Sequence, residues 1–248
     1  MKVLYIDIET APATARIWGL KTRFVPISQV VNRGYTLCWA ARWEDKKKIH
    51  FYSAWQHGHE EMVRAAYEML DQADMVVHYN GKKFDIPTLN REFAILGLSP
   101  PTNYHQLDMF QVVRQNFRFL SNSMDSVASE LGLQRKTEHK GMQLWEEVMA
   151  GDKKAQAVMR KYNCQDIVVL EELYKYLRPW IKNHPNRGLY IDTPESPVCP
   201  NCGGTSVQKR GIERPARSNA YQRYKCNDCG ANSRGRVILY KTHENLLL

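Results

Sequence analysis

The stretch "KVLYIDIET", Lys2 to Thr10, alternates in a way only an extended strand can use. Leu4, Ile6 and Ile8 fall on one face, and Asp7 and Glu9 fall together on the other, because successive side chains of a strand point to opposite sides. An apolar core therefore lies on one side of this strand and two adjacent carboxylates on the other. Two carboxylates side by side repel unless a cation lies between them or one takes up a proton. An oxygen-rich pair of this kind suits Mg²⁺ or Mn²⁺. A solvated acidic pair at a polar sheet face is the plainer alternative.

Outward from this strand, residues 11–34 read as a connection punctuated by Pro and Gly. The runs "YTLCWAARW" (35–43) and "KIHFYSAW" (48–55) read as strands on either side of the charged turn "EDKKK" (44–48). "GHEEMVRAAYEMLDQA" (58–73) has helical periodicity, "DMVVHYN" (74–80) is a short apolar strand, and "FDIPTLNREFAILGL" (84–98) is a helix with Pro87 near its start, where proline is tolerated. "YHQLDMF" (104–110) is a strand running into a helix. "SMDSVASELGL" (123–133) and residues 143–181 are helical, the latter broken at "AGDKK" (150–154). Strands followed by alternating strands and helices predict a mixed α/β sheet with helices packed on it.

The 248 residues allow one sizeable core and a small second module. With 43% hydrophobic and 25% charged residues, the composition is that of a globular protein. No apolar run reaches the ~18–20 residues of a membrane span. Asp7 interrupts the apolar N-terminus, which argues against a secretory signal and for a cytoplasmic location without membrane partners. The net charge of +9 is uneven: residues 197–248 hold nine Lys/Arg and three Asp/Glu. A basic segment beside a nearly balanced one points to a polyanionic partner, nucleic acid first.

Pro, Asn and Gly accumulate in "NHPNRGLYIDTPESPV" (183–198), which reads as a boundary. The expected organisation is a domain over 1–182, a linker over 183–197 and a module over 198–248. That module carries "VCPNCGG" and "YKCNDCGA": two C-x2-C pairs, Cys199/Cys202 and Cys226/Cys229, 23 residues apart. Four thiolates at this spacing match one structural, tetrahedral Zn²⁺. The glycine after each pair permits a tight turn, and "TSVQKRG", "AYQRYKC" and "RGRVILY" supply three short strands. The module resembles a zinc ribbon. Lys209, Arg210, Arg214, Arg217, Arg223, Lys225, Arg234 and Arg236, with Tyr221 and Tyr224 among them, could grip a phosphate backbone and stack on bases. A stabilising appendage or a protein-docking surface, for instance toward a replication or repair protein, is the alternative.

Two further segments carry carboxylates. In "NGKKFDIP", Asn80 ends a strand and Asp85 starts a helix, so Asp85 can be read as an N-cap. In "YNCQD", Tyr162 and Asp166 are four apart and share a helix face, while Cys164 points elsewhere and reads as a structural thiol. Asp108 in "HQLDMF" reads as a helix cap or the acceptor of a backbone hydrogen bond, outside the site. Taken in order, "DIE", "NGKKFD" and "YNCQD" resemble the three motifs of the DEDD superfamily of 3′–5′ exonucleases. Tyr four residues before the last Asp matches the tyrosine branch; the histidine branch has His five before it, where this chain has Lys161. "FLSNSMDSVASELGL" (119–133) also looks like the connection these enzymes carry before their third motif. The likeness covers roughly residues 1–180 and is greatest to stand-alone exonucleases of tailed bacteriophages and related bacterial proteins, which would place the chain in host cytoplasm if phage-encoded.

The resemblance implies a ribonuclease H-like mixed sheet flanked by helices. It implies a phosphodiester hydrolase acting on the 3′ end of single-stranded nucleic acid, DNA in preference to RNA. An RNA 3′-trimming enzyme and a non-catalytic nucleic-acid-binding zinc protein are the alternatives. It further implies two Mg²⁺ or Mn²⁺ ions held by Asp7, Glu9, Asp85 and Asp166, clamping the attacking and leaving oxygens. Tyr162 would orient the attacking water; a free phenol ionises near pH ~10, so it need not be the base. Thr10, Asn80 and Phe84 are the implied contacts to the terminal nucleotide.

Overall fold

The computed structural model describes residues 1–21, 24–135, 141–214 and 219–239. Close packing divides the chain into two units, residues 2–173 and 174–248, the second also taking in Met1. In the first unit the opening strand is β1 (Val3–Thr10). A small ribbon, β2 (Thr14–Ala15) with β3 (Val30–Asn32), leads to β4 (Thr36–Trp43) and β5 (His50–Ser53). Then come α1 (Ala54–His57), α2 (His59–Asp71), β6 (Met75–His78), α3 (Asp85–Ile95), β7 (His105–Asp108), α4 (Met109–Asn116), α5 (Met124–Glu130), α6 (Met142–Met149) and α7 (Lys153–Leu177). α7 runs on past Leu173 into the second unit. The Gly-Asp step expected to break the last helical run does so, between α6 and α7. The "KIHFYSAW" run is shorter as a strand than expected: it ends at Ser53, whose N–H donates to His57 Nδ1 at 3.2 Å as α1 begins. The 11–34 connection is more ordered than a punctuated loop, since β2 and β3 pair within it.

The sheet has the order β5-β4-β1-β6-β7. β4 and β5 run antiparallel, and β6 and β7 run parallel to β1. This is the mixed sheet flanked by helices that the element order predicts. The alternation of β1 sets its two sides. Leu4, Ile6 and Ile8 join Trp39 and Val76 and pack under Met62, Val63 and Leu70 of α2 and Ile86, Leu89 and Phe93 of α3. By register, the opposite face carries Tyr5, Asp7 and Glu9 beside Arg42, Ala40 and Cys38 of β4. α7 is tied to this face, with an ion pair joining Arg42 to Glu171.

The β6-to-α3 turn is held tightly. Asn80 takes a left-handed conformation (φ 63°). Its N–H donates to Asp108 Oδ1 at 2.8 Å, the same oxygen that caps α4 by accepting from Phe110 N at 3.1 Å. Beneath it lies His78, fully buried, whose imidazole burial pushes toward the neutral form while Asp108 pulls the other way. A Cβ on Gly81 would sit 2.6 Å from His78 Cγ. Gly81→Ala should therefore lower stability by about 1–3 kcal/mol through overpacking, read as a reduced urea midpoint with an unchanged m-value.

In the second unit, residues 174–248, β8 (Val207–Glu213), β9 (Tyr221–Cys226) and β10 (Asn232–Ile238) form an antiparallel sheet of order β10-β9-β8. Arg217 and Tyr240 lie outside the described residues. The exposed Lys209, Arg210, Arg214, Arg223, Lys225, Arg234 and Arg236 give this sheet a basic surface, and Arg234 lies over the Tyr221 ring at 4.4 Å.

Candidate active site

β1 and α7 build the site. Asp7, Glu9 and Asp166 each place a carboxylate oxygen within 4.8 Å of the other two. Asp7 and Glu9 are half-buried on β1, and Asp166 is buried on α7. Asp85 reaches the same strand from the other motif. It is the first residue of α3 rather than its N-cap, a position Phe84 takes. Its Oδ1 accepts the N–H of Ile8 at 3.1 Å, between the two β1 carboxylates. That N–H lies beyond Tyr5–Val77, where the β1–β6 pairing stops. The carboxylate thus bonds to the strand where β6 no longer accompanies it.

Tyr162 sits on α7 one turn before Asp166, buried, with its ring edge-on to Trp145 at 6.2 Å. Asn80 stands at the β6-to-α3 turn and Phe84 is exposed at the head of α3. Thr10 follows a register shift that separates it from Glu9. Lys82 and Lys83 are exposed in the same turn. Cys164 is half-buried, and burial raises its thiol pKa against the pull of Arg160, which disfavours a nucleophilic thiolate.

Asn163 was not singled out in the sequence. It is fully buried on α7, and its Nδ2 donates to Asp7 Oδ2 at 2.8 Å and to Asp7 O at 3.3 Å. The available signal was its spacing three residues before Asp166, which puts both on one helix face. Burial, and then the charges of Glu9 and Asp7, push the neighbouring Cys38 thiol well up. The donor set itself suits a hard cation: three clustered carboxylates offering only oxygen ligands. Asn163→Ala should weaken Mn²⁺ binding about tenfold or more, since a hydrogen bond to a charged group contributes about 1.5–3 kcal/mol. Calorimetric titration with Mn²⁺ would show it.

The second unit holds a cysteine cluster. Cys199 and Cys229 Sγ are 3.7 Å apart and Cys202 and Cys226 Sγ 3.6 Å, with all four within 4.8 Å. A disulfide needs about 2.05 Å. Sulfurs around a tetrahedral ion with bonds of about 2.3 Å stand about 3.8 Å apart. The two arms match: Gly203 and Gly230 follow the second cysteine of each pair, both at φ 80°. Each donates its N–H to the first cysteine's carbonyl, at 2.9 and 3.1 Å. Burial raises the Cys202 thiol and lifts Cys229 to about 11. For Cys226 burial also opposes the thiolate, but the N–H groups of Cys229 and Asp228 turn the balance downward. The donors fit one thiophilic tetrahedral ion. Beyond the cysteines the packed cluster holds, among the described residues, Val207 and Ala231, so the ion should carry the fold. Metal analysis should find one zinc per chain, and Cys202→Ser should lose both the ion and amide-exchange protection across β8–β10.

A family profile for the RNase H superfamily matches residues 30–178, and the chain belongs to that superfamily. The matched segment starts after β1, so it includes Asp85 and Asp166 but not Asp7 and Glu9. Among solved structures, the chain is similar to the family B DNA polymerase from the hyperthermophilic archaeon Pyrobaculum calidifontis, with a TM-score of 0.54 and 18% identity over 72% of this chain. At that identity the likeness is one of fold, and the chain spans 24% of that protein's length. No curated protein sequence matches the chain. No helix among the described residues is long and apolar enough to cross a membrane.

Proposed function

We propose that the chain is a metal-dependent 3′–5′ exonuclease of the DEDD superfamily, tyrosine branch, which hydrolyses terminal phosphodiesters of single-stranded DNA. The observation that carries this reading is the convergence of Asp7 and Glu9 of β1 with Asp166 of α7, at least 157 residues further along the chain, within 4.8 Å of one another. Residues so distant in sequence gain nothing from mutual repulsion unless a cation is held between them. In this reading residues 1–182 are the exonuclease domain, 183–197 a linker and 198–248 a zinc ribbon whose basic surface helps to hold the strand.

Asp7, Glu9 and Asp166 hold Mg²⁺ or Mn²⁺, with Asp85 completing the acidic set. The bound ions supply charge stabilisation to the attacking and leaving oxygens. Asn163 holds Asp7 in place by its hydrogen bonds to the carboxylate and the backbone carbonyl. Tyr162, one helical turn from Asp166, orients the attacking water with its hydroxyl. Thr10, Asn80 and Phe84 border the terminal nucleotide, and the exposed Lys82 and Lys83 offset phosphate charge.

The test is turnover of end-labelled DNA and RNA strands in Mg²⁺ or Mn²⁺. Stepwise release from the 3′ end of DNA is expected. Asp7→Asn and Asp166→Asn should each cut kcat by about 10³-fold or more, and Tyr162→Phe by about 10- to 100-fold, with circular dichroism unchanged. A folded Asp166→Asn protein degrading DNA at the wild-type rate would overturn the assignment.

A further inference from the structure

The connection from β1 to β4 has a composition the catalytic reading does not use. Between Glu9 and Glu44 the chain has no acidic residue and five basic ones, Arg16, Lys21, Arg23, Arg33 and Arg42. Arg42 is engaged by Glu171, and Arg23 lies outside the described residues. Arg16, Lys21 and Arg33 are exposed. Among them stand large apolar side chains in water: Trp18 is 99% exposed and Leu20 96%, and Ile27 and Val31 are also exposed. An open groove of about 640 Å³ lies between residues 16–18 and 28–31. Apolar surface of this kind marks a binding site rather than a fold requirement.

The ribbon is anchored where the proposed chemistry lies. It leaves the sheet directly after Glu9 and Thr10 and returns at Thr36, the residue paired with Thr10. Ala11 N–H bonds to Tyr35 O at 2.9 Å, and Arg91 of α3, the helix that begins with Asp85, donates to Gly34 O at 2.8 Å. The charge selects the occupant. A second copy would bring the same cations against each other, which disfavours self-association through this face. A single-stranded nucleic acid offers bases to the aromatic face and phosphates to the cations.

We propose that residues 12–21 and 24–34 form a stacking platform for unpaired bases upstream of the scissile phosphodiester, with Trp18 as the stacking residue and Arg16, Lys21 and Arg33 neutralising phosphates. The inference deepens the exonuclease reading and rests on it for where the strand ends. The platform makes the enzyme selective for single strands, because a base stacked on Trp18 is not stacked within a duplex.

Two measurements on the full chain keep the two ideas separate. The first is fluorescence anisotropy with a labelled thymidine oligonucleotide, in Ca²⁺ in place of Mg²⁺ or Mn²⁺. Trp18→Ala should bind at least about fivefold more weakly, the lower bound for one lost base stack, while Trp18→Phe stays near wild type. Arg16→Ala and Lys21→Ala should each flatten the salt dependence by about one unit of slope. The second is hydrolysis of the p-nitrophenyl ester of thymidine 5′-monophosphate, too short to reach the ribbon. Trp18→Ala should leave its rate unchanged while raising KM for the oligonucleotide. Unchanged oligonucleotide affinity in Trp18→Ala overturns the platform and leaves the nuclease standing. Weakened affinity in a chain whose wild type cleaves nothing retains the platform and removes the nuclease. A dimer that Trp18→Ala converts to monomer, with oligonucleotide affinity unchanged, assigns the patch to self-association and overturns the proposal.

Discussion

Three carboxylates within 4.8 Å of one another are the constraint around which the larger unit is arranged. Two unit charges at that separation repel by about 3.5 kcal/mol at an effective dielectric of about 20. The fold holds them together by making their positions properties of rigid elements. Asp7 and Glu9 are fixed by the pleat of the central strand, which cannot move without displacing Leu4, Ile6 and Ile8 from the core beneath α2 and α3. Asp166 is fixed by α7, docked through the Arg42–Glu171 ion pair and through Asn163 on Asp7. The repulsion that remains favours whatever cation enters, and its reach is visible at Cys38, whose thiol is driven up by burial and by these same charges.

The second layer of support is at the β6-to-α3 turn. For Asp108 the sequence offers a helix cap or a backbone hydrogen bond, and one oxygen makes both, capping α4 and accepting Asn80 N–H. A single carboxylate therefore joins the start of α4 to the turn that delivers Asp85. Gly81 is required there by the His78 ring. The order of parts follows from this: buried His78 sets the turn, the turn sets the head of α3, and the head of α3 sets Asp85 against Ile8 N–H.

Much of this was legible because it depends on local rules. The period-two alternation of "LYIDIE" fixed which side of β1 is apolar, and the cysteine spacing fixed which sulfurs meet. What escaped depends on tertiary context. Asp85 at a strand-to-helix junction satisfies every local criterion for an N-cap, yet its partner is a backbone N–H 77 residues earlier, in a strand whose neighbour β6 has ended. Asn163 offers only its spacing from Asp166 as a signal, and a buried asparagine in a helix becomes meaningful once its acceptor is known. The 12–34 ribbon escaped for a different reason. Its largest apolar residues, Trp18, Leu20, Phe24 and Ile27, are exposed, so they follow no amphipathic period, and Pro12, Gly19, Pro26 and Gly34 read as loop punctuation.

The exposed ribbon and the half-buried acidic cluster impose different costs on the free chain. The cluster stores electrostatic repulsion that a cation relieves. The ribbon leaves Trp18 and Leu20 in water, a hydrophobic cost that a bound strand would relieve. Both are anchored to β1, one by its carboxylates and the other by the chain leaving its end. A strand bound across both would relieve the two costs together, its bases covering the apolar side chains while its terminal phosphodiester meets the cations at the carboxylates. Affinity supplied by the ribbon would then be independent of which base is terminal, because stacking needs only a π-face. The proposed exonuclease, removing any of four nucleotides in turn, would require that independence.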